Sequence, residues 1–192
     1  VLLRRWPGPL TLVLPACPGV LNDHYNPEIE IYRGLWLLSW FVKEFGTADA
    51  IDAKEMGMAP EALLDQRIRD LPAGSDGLLL QPYWTAGILH PDSLGAVIGF
   101  SDYHTRYHFY RAIIEGLCLE LYMALRIMED RSGLTIHEIR IGGGGAKSDV
   151  VCQIAADVFG LPVVRSQTHE ACSIGSSMVA FVAKGVFADF DE

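Results

Sequence analysis

A run of four glycines, Gly142 to Gly145, restricts this chain more than any other feature. Ala146, Lys147, Ser148 and Asp149 follow it directly, and it separates two segments of different hydrophobic period. Before it, LTIHEIRI (134–141) predicts a strand. After it, VVCQIAADVFG places Val151, Ile154, Ala155 and Val158 on one helical face. LPVV (161–164) predicts a second short strand, and THEACSIGSSMVAFVAKG a last helix with Ile174, Met178 and Phe181 three or four residues apart. Strand, glycine turn, helix, strand, helix is an α/β order with a parallel crossover. Glycines at such a turn let the backbone approach a ligand without a Cβ collision, and the helix that follows aims free N–H groups at the same place. That combination suits a nucleotide or another polar ligand.

The motif is nevertheless neither of the two common phosphate-binding patterns. Ala146 stands where a Walker-type loop requires glycine before the lysine, and the spacing does not match the dinucleotide-binding turn. Lys147 has the charge to neutralise phosphate, or is simply exposed at a helix start. Ser148 can contact a ligand or cap the helix. Asp149 suits the helix dipole, and could face phosphate only through Mg²⁺ or water.

Upstream, EIEIY (28–32) alternates and predicts a strand, with Ile29 and Ile31 on one face. GLWLLSWFVKEFG (34–46) repeats Leu35, Leu38, Phe41, Val42 and Phe45 at helical spacing, and APEALLDQRIRDLP (59–72) reads as a short surface helix bounded by Pro60 and Pro72. The longest helix is expected over about 104–130, its stripe made of Tyr110, Ile113, Ile114, Leu117, Leu121, Leu125 and Met128. Gly116 lies inside it at a cost of roughly 1 kcal/mol against alanine, so close packing on another backbone is expected there. His104 and His108 are four apart, but HTRYH lacks the glutamate of a zinc-protease helix and no third ligand is evident. Neither a serine-hydrolase elbow at Gly175-Ser176-Ser177 nor a thiolate site at Cys172 beside His169 and Glu170 is favoured over packing.

Length and charge bound the partners. The 192 residues suffice for one substantial core or two small ones. A net charge of −9 argues against nucleic acid and against anionic membrane as main partners. No apolar run is long enough for a spanning helix, and Pro9, Pro15 and Pro18 interrupt the signal-like opening, which reads better as strand and turn. Cys17, Cys118, Cys152 and Cys172 match neither a zinc ribbon nor a disulfide framework, and are expected to be reduced and mostly buried.

Taken in order, GFSDYHTRYHFYRAIIEGLCLELYMAL (99–125), IGGGGAKSDVVCQIAADVFGLPV (141–163) and EACSIGSSMVAFVAKG (170–185), with DGLLLQPYWTAG (76–87), resemble the C-terminal domain of the FGGY family of carbohydrate kinases, of the xylulokinase and glycerol kinase kind. The resemblance implies an actin/hexokinase-like ATPase lobe, ribonuclease H-like, with a mixed five-stranded sheet flanked by helices. It implies that residues 1–192 are the nucleotide-binding part of a two-domain enzyme whose N-terminal domain supplies the sugar pocket and the catalytic aspartate. The intact protein would transfer a phosphoryl group from Mg·ATP to a sugar or polyol hydroxyl, in the cytoplasm, and the isolated chain would not turn over. Gly143, Gly144, Gly145 and Ala146 would lie against adenosine, with Ser148, Asp149 and Gln153 near the base or ribose. No catalytic residue and no metal ligand are assigned in this chain, the Mg²⁺ being carried by the nucleotide phosphates. Expected partners are the substrate and the N-terminal domain, with a homodimer left open. Asp149 departs from the proline or neutral residue frequent in the family, and Ser176-Ser177 from the frequent Ala-Ala. A noncatalytic nucleotide- or protein-binding domain and an actin-like ATPase or chaperone module are the competing readings. An ordinary doubly wound domain is the competing fold.

Overall fold

The computed structural model describes residues 17–19, 24–26, 28–87 and 91–190. In chain order these form β1 (Cys17–Pro18), β2 (Tyr25–Asn26), α1 (Trp36–Phe45), α2 (Thr47–Glu55), α3 (Pro60–Ile68), β3 (Leu79–Gln81), β4 (Ala96–Ile98), α4 (Arg106–Ser132), β5 (Ile139–Ile141), α5 (Asp149–Phe159), β6 (Val163–Arg165) and α6 (Ala171–Ala183). Short 3₁₀ turns at Ser75–Gly77 and Gly144–Lys147 lead into β3 and α5.

Helix α4 is the axis of the core. It starts at a capping box in which the Thr105 backbone N–H donates to His108 Nδ1 at 3.0 Å and the Thr105 hydroxyl accepts from the helix backbone. With Nδ1 accepting, His108 Nε2 carries the proton and donates to Asp76 Oδ2 at 3.2 Å. Both ring nitrogens are therefore engaged. No group of three or more His, Cys, Asp or Glu side chains able to hold a metal occurs among the described residues.

The first half of the α4 stripe is buried as its period requires. Tyr110, Ile113 and Ile114 are fully enclosed and Leu117 nearly so, against Leu37, Leu38 and Phe41 of α1, Leu64 and Ile68 of α3, Leu80 of β3, and Val151 and Ile154 of α5. Each such aliphatic or aromatic side chain contributes about 1.5–3 kcal/mol of burial. Beyond Leu117 the stripe opens: Leu121 is exposed, and Met128 is buried again near the far end.

Gly116 shows why that helix tolerates a glycine. A Cβ there would stand 2.5 Å from the carbonyl oxygen of Leu80 and 3.1 Å from its Cβ, so α4 lies directly on the β3 backbone. Strand β3 in turn pairs antiparallel with β4 in the register Leu79–Ile98, Leu80–Val97, Gln81–Ala96.

Helix α2 has no apolar stripe to announce it. It is tied to α4 by charge: Asp49 is fully buried and accepts from Arg106 Nε at 2.7 Å, Arg106 Nη2 at 3.2 Å and the Tyr107 hydroxyl at 3.1 Å. Burial pushes the Asp49 carboxyl up, but the bonds from Arg106 and Tyr107 together outweigh it and leave it below the ordinary aspartate range.

Three expectations change. Residues 28–32 form no strand, although Glu28 and Glu30 are exposed while Ile29 and Ile31 are partly covered. The side-chain alternation survives there without a hydrogen-bonded neighbour, and pairing is what makes a strand. The sheet is divided into three two-stranded pieces, β1–β2 and β3–β4 antiparallel and β5–β6 parallel, so one five-stranded sheet is not formed among the described residues. The thiols also differ from one another: Cys118 is buried, Cys152 half-buried and Cys172 exposed. Burial pushes the Cys118 thiol up to about 12, with Glu115 adding to the shift, which keeps it protonated and inert. Residues 1–16, which contain most of the signal-like opening, lie outside the described residues. No helix among the described residues is long and apolar enough to cross a membrane.

Candidate functional site

Strands β5 and β6 run parallel in the register Ile139–Val163, Arg140–Val164, Ile141–Arg165, with α5 as the crossover between them. The glycine run leaves the end of β5 and is gripped from the side of α6. The Gly143 N–H donates to the His169 carbonyl at 2.8 Å, and a Cβ at Gly142 would lie 3.1 Å from that of Ala171. Gly143 has φ 77 and ψ −169, a conformation open essentially to glycine. The Ala146 N–H then donates to the Gly143 carbonyl at 3.2 Å, which closes the 3₁₀ turn.

The predicted residues separate into distinct surroundings. Gly143 and Gly144 border open space, with no heavy atom within 4 Å of where a Cβ would stand. Gly145 does not: Leu35, at the start of α1, occupies the volume a Cβ at 145 would need. Ala146 is buried. Ser148 caps α5, its Oγ accepting from the Val151 N–H at 3.0 Å. Asp149 pairs with Arg165 Nη2 at 2.6 Å, and Arg165 Nε reaches Cys152 Sγ at 3.3 Å. Gln153 donates to Asp157 Oδ1 at 2.8 Å. Asp149, Gln153 and Asp157 recur every four residues along α5 and line a hollow of about 490 Å³ with Arg69 and Arg111 opposite.

Two further groups bear on the turn and were not among the expected site residues. The first is Leu35, which packs against Gly145 and is followed by Trp36. The Arg33 guanidinium lies 4.9 Å over the Trp36 ring, itself about half exposed. The sequence signal available was the glycine before Leu35, but the α1 periodicity assigns Leu35 to the core stripe. The second group is Asp65 on α3. Its carboxylate lies close enough to Ser148 for the two to interact, while Asp65 Oδ1 and the Tyr110 hydroxyl are buried with no hydrogen-bond partner among the described residues. Residues 65 and 148 are too distant in sequence for any local pattern to join them.

Burial pushes the Asp65 carboxyl up, Glu61 and Asp149 add to the rise, and the interaction with Ser148 opposes it. With a raised folded pKa, the native state holds the proton more tightly than the unfolded chain does. The stability that Asp65 withholds when ionised is thus restored below the ordinary aspartate range and lost as pH rises through the folded pKa. Asp65→Asn keeps an acceptor for Ser148 and removes the charge. Its thermal midpoint is expected to exceed that of the native sequence at pH 7 by more than it does at pH 4. A difference independent of pH in the same melts would exclude this account.

The backbone order and the glycine turn match a known domain. The model of the FGGY family of carbohydrate kinases, C-terminal domain, covers residues 13–184. The chain belongs to this family. It is 29% identical over 178 residues to a gluconokinase of Bacillus licheniformis, covering 91% of this chain and 35% of that protein. It is 35% identical over 165 residues to a glycerol kinase of Dechloromonas aromatica, covering 86% and 31%. The crystal structure of ligand-bound xylulose kinase from Lactobacillus acidophilus superposes with a TM-score of 0.69 at 25% identity, over 87% of this chain and 32% of that one. The FGGY domain described here therefore spans about a third of the length of the relatives it matches. The mixed helices and small parallel and antiparallel sheets are an α/β fold consistent with the FGGY/actin-like ATPase fold.

Within this FGGY domain α6 buries none of its residues. Ile174, Met178 and Phe181, which recur at helical spacing, are 42%, 52% and 46% exposed. The helix instead contributes its first turn, where Ala171 backs Gly142.

Proposed function

We infer that the intact protein is an ATP-dependent carbohydrate kinase acting on a sugar or polyol hydroxyl, and that this domain holds the adenosine half of the nucleotide. One observation carries the reading: in a domain of this family, Gly143 and Gly144 present backbone without side chains to open space beside the start of α5. The gluconokinase, glycerol kinase and xylulose kinase relatives support the substrate class.

Bound ATP would supply the phosphoryl group and, with its Mg²⁺, the charge that the transfer requires. The residues present fit the adenosine side of that task. Gly143 and Gly144 can take a flat ring or ribose at van der Waals distance, and the α5 dipole favours electron-rich atoms nearby. They do not form a cage for Mg²⁺. Asp149, the carboxylate nearest the turn in sequence, is paired with Arg165, and no cluster of metal ligands exists among the described residues. In this reading the nucleotide phosphates carry the metal, and the N-terminal domain supplies the base that receives the hydroxyl proton. That second domain and a cytoplasmic location are part of the same proposal.

The test is calorimetric titration of the full-length protein with ADP and with Mg·ATP. It is followed by an assay for ADP release in the presence of gluconate, xylulose or glycerol. Binding of ADP with sugar-dependent ADP release is expected. Binding without turnover on any sugar or polyol would favour the noncatalytic reading, and absence of binding would remove the nucleotide assignment.

A further inference from the structure

The glycines of the turn differ in what, if anything, excludes a side chain. Gly143 needs its φ of 77, and Gly144 faces open space. At Gly145 the reason is Leu35, which sits where a Cβ would be. Leu35 belongs neither to the turn nor to the core, and 36% of its surface remains exposed.

The backbone that aims it is held in an unfavourable conformation. Arg33 is a non-glycine residue at φ 70, followed by Gly34 at φ 36, so two successive residues are left-handed immediately before Leu35. The turn is locked by successive bonds, from the Trp36 N–H to the Arg33 carbonyl at 2.8 Å, from Leu37 to Gly34 at 3.1 Å and from Leu38 to Leu35 at 3.1 Å. Arg33 is further pinned over the Trp36 ring. A strained backbone persists only where surrounding contacts over-determine it, and here its effect is to place one aliphatic side chain against Gly145, the last glycine of the run.

We propose that Leu35, packed against Gly145, determines which ring systems the open backbone at Gly143 and Gly144 admits. This rests on the nucleotide reading and adds the specificity of the same site. A planar base entering along the glycine backbone meets the Leu35 methyl where bare Gly145 would otherwise extend the surface. The contact offers dispersion to an unsubstituted purine edge and steric refusal to a bulky substituent on that edge. Apolar walls of this kind discriminate by roughly 10–200-fold for each methylene gained or lost.

The experiment measures equilibrium binding of ADP and of N6-benzyl-ADP to the full-length protein, with the native sequence, Leu35→Ala and Leu35→Trp. In Leu35→Ala the ratio of the two dissociation constants is expected to shift at least about tenfold toward N6-benzyl-ADP, while ADP affinity changes less. A merely structural role would weaken both nucleotides together and leave the ratio fixed, and that result overturns the proposal. If ADP binds the native sequence and the ratio does not move, the nucleotide reading stands and Leu35 loses its role. If ADP does not bind the native sequence, both fall. Should Leu35→Ala lose cooperative unfolding, Leu35→Trp probes the slot from the other side. At least about tenfold weaker ADP binding is expected with the melt preserved, and native affinity for both nucleotides overturns the proposal.

Discussion

Replacing Glu115 with alanine is expected to lower the unfolding free energy by about 3–5 kcal/mol, the range for removing one partner of a buried ion pair. Glu115 lies on the buried side of α4, four residues after Arg111, whose Nε donates to its Oε1 at 2.7 Å. The same oxygen accepts from the Gly74 N–H at 3.0 Å, and Oε2 from the Ser75 hydroxyl at 2.7 Å. Arg111 also reaches the Ile68 carbonyl at 3.4 Å. One carboxylate therefore anchors the segment between α3 and β3, where Ser75 and Asp76 are both held at positive φ. Truncation would leave the Arg111 guanidinium buried without its counter-charge and two loop donors without an acceptor. Glu115→Gln keeps an acceptor and is expected to lose less. Urea unfolding at constant m-value reads both variants. A loss below about 1 kcal/mol for Glu115→Ala would place the pair in the class of weak surface bridges and reject the anchoring role.

The largest expected effect on binding is at Gly143. Gly143→Val imposes a β-branched side chain on a conformation that only glycine adopts readily, at a cost of about 1–3 kcal/mol in strain. The turn would relax away from its bonds to the His169 carbonyl and the Ala146 N–H, and the exposed backbone would be lost. ADP affinity is expected to fall at least about tenfold, since each 1.4 kcal/mol of misfit is a factor of ten. Gly144→Ala separates strain from occupation of the slot. Gly144 is not left-handed and has open space around it, so its variant should keep stability within about 0.5 kcal/mol while its methyl intrudes on the ligand. Unchanged ADP binding in both variants, measured by calorimetry beside their melts, would detach the nucleotide from this turn.

Much of the framework could be read residue by residue. The run of α4 was legible because apolar side chains recur at helical spacing over more than three turns. The α5 start was legible because Ser148 is a capping residue and does cap. Gly116 was legible as a point of backbone contact, since a glycine inside a long helix needs a reason, and Leu80 supplies it. Helix α2 was not legible. TADAIDAKE has little apolar period, and its place depends on Asp49 meeting Arg106 and Tyr107 more than fifty residues later. The EIEIY segment failed in the opposite way: its alternation is real, but a ladder needs a second chain segment at hydrogen-bond distance.

The site divides along the same line. The chain's own order of residues determined that a glycine turn sits between a strand and a helix, because φ/ψ freedom, periodicity and capping act over a few residues. Only the tertiary structure decided that Leu35 covers Gly145, that Asp65 comes close to Ser148, that Arg165 neutralises Asp149, and that Gly143 and Gly144 alone among the expected contacts remain bare. Those outcomes depend on distances between segments far apart along the chain, which are set by how the α1, α3 and α5 helices pack around α4.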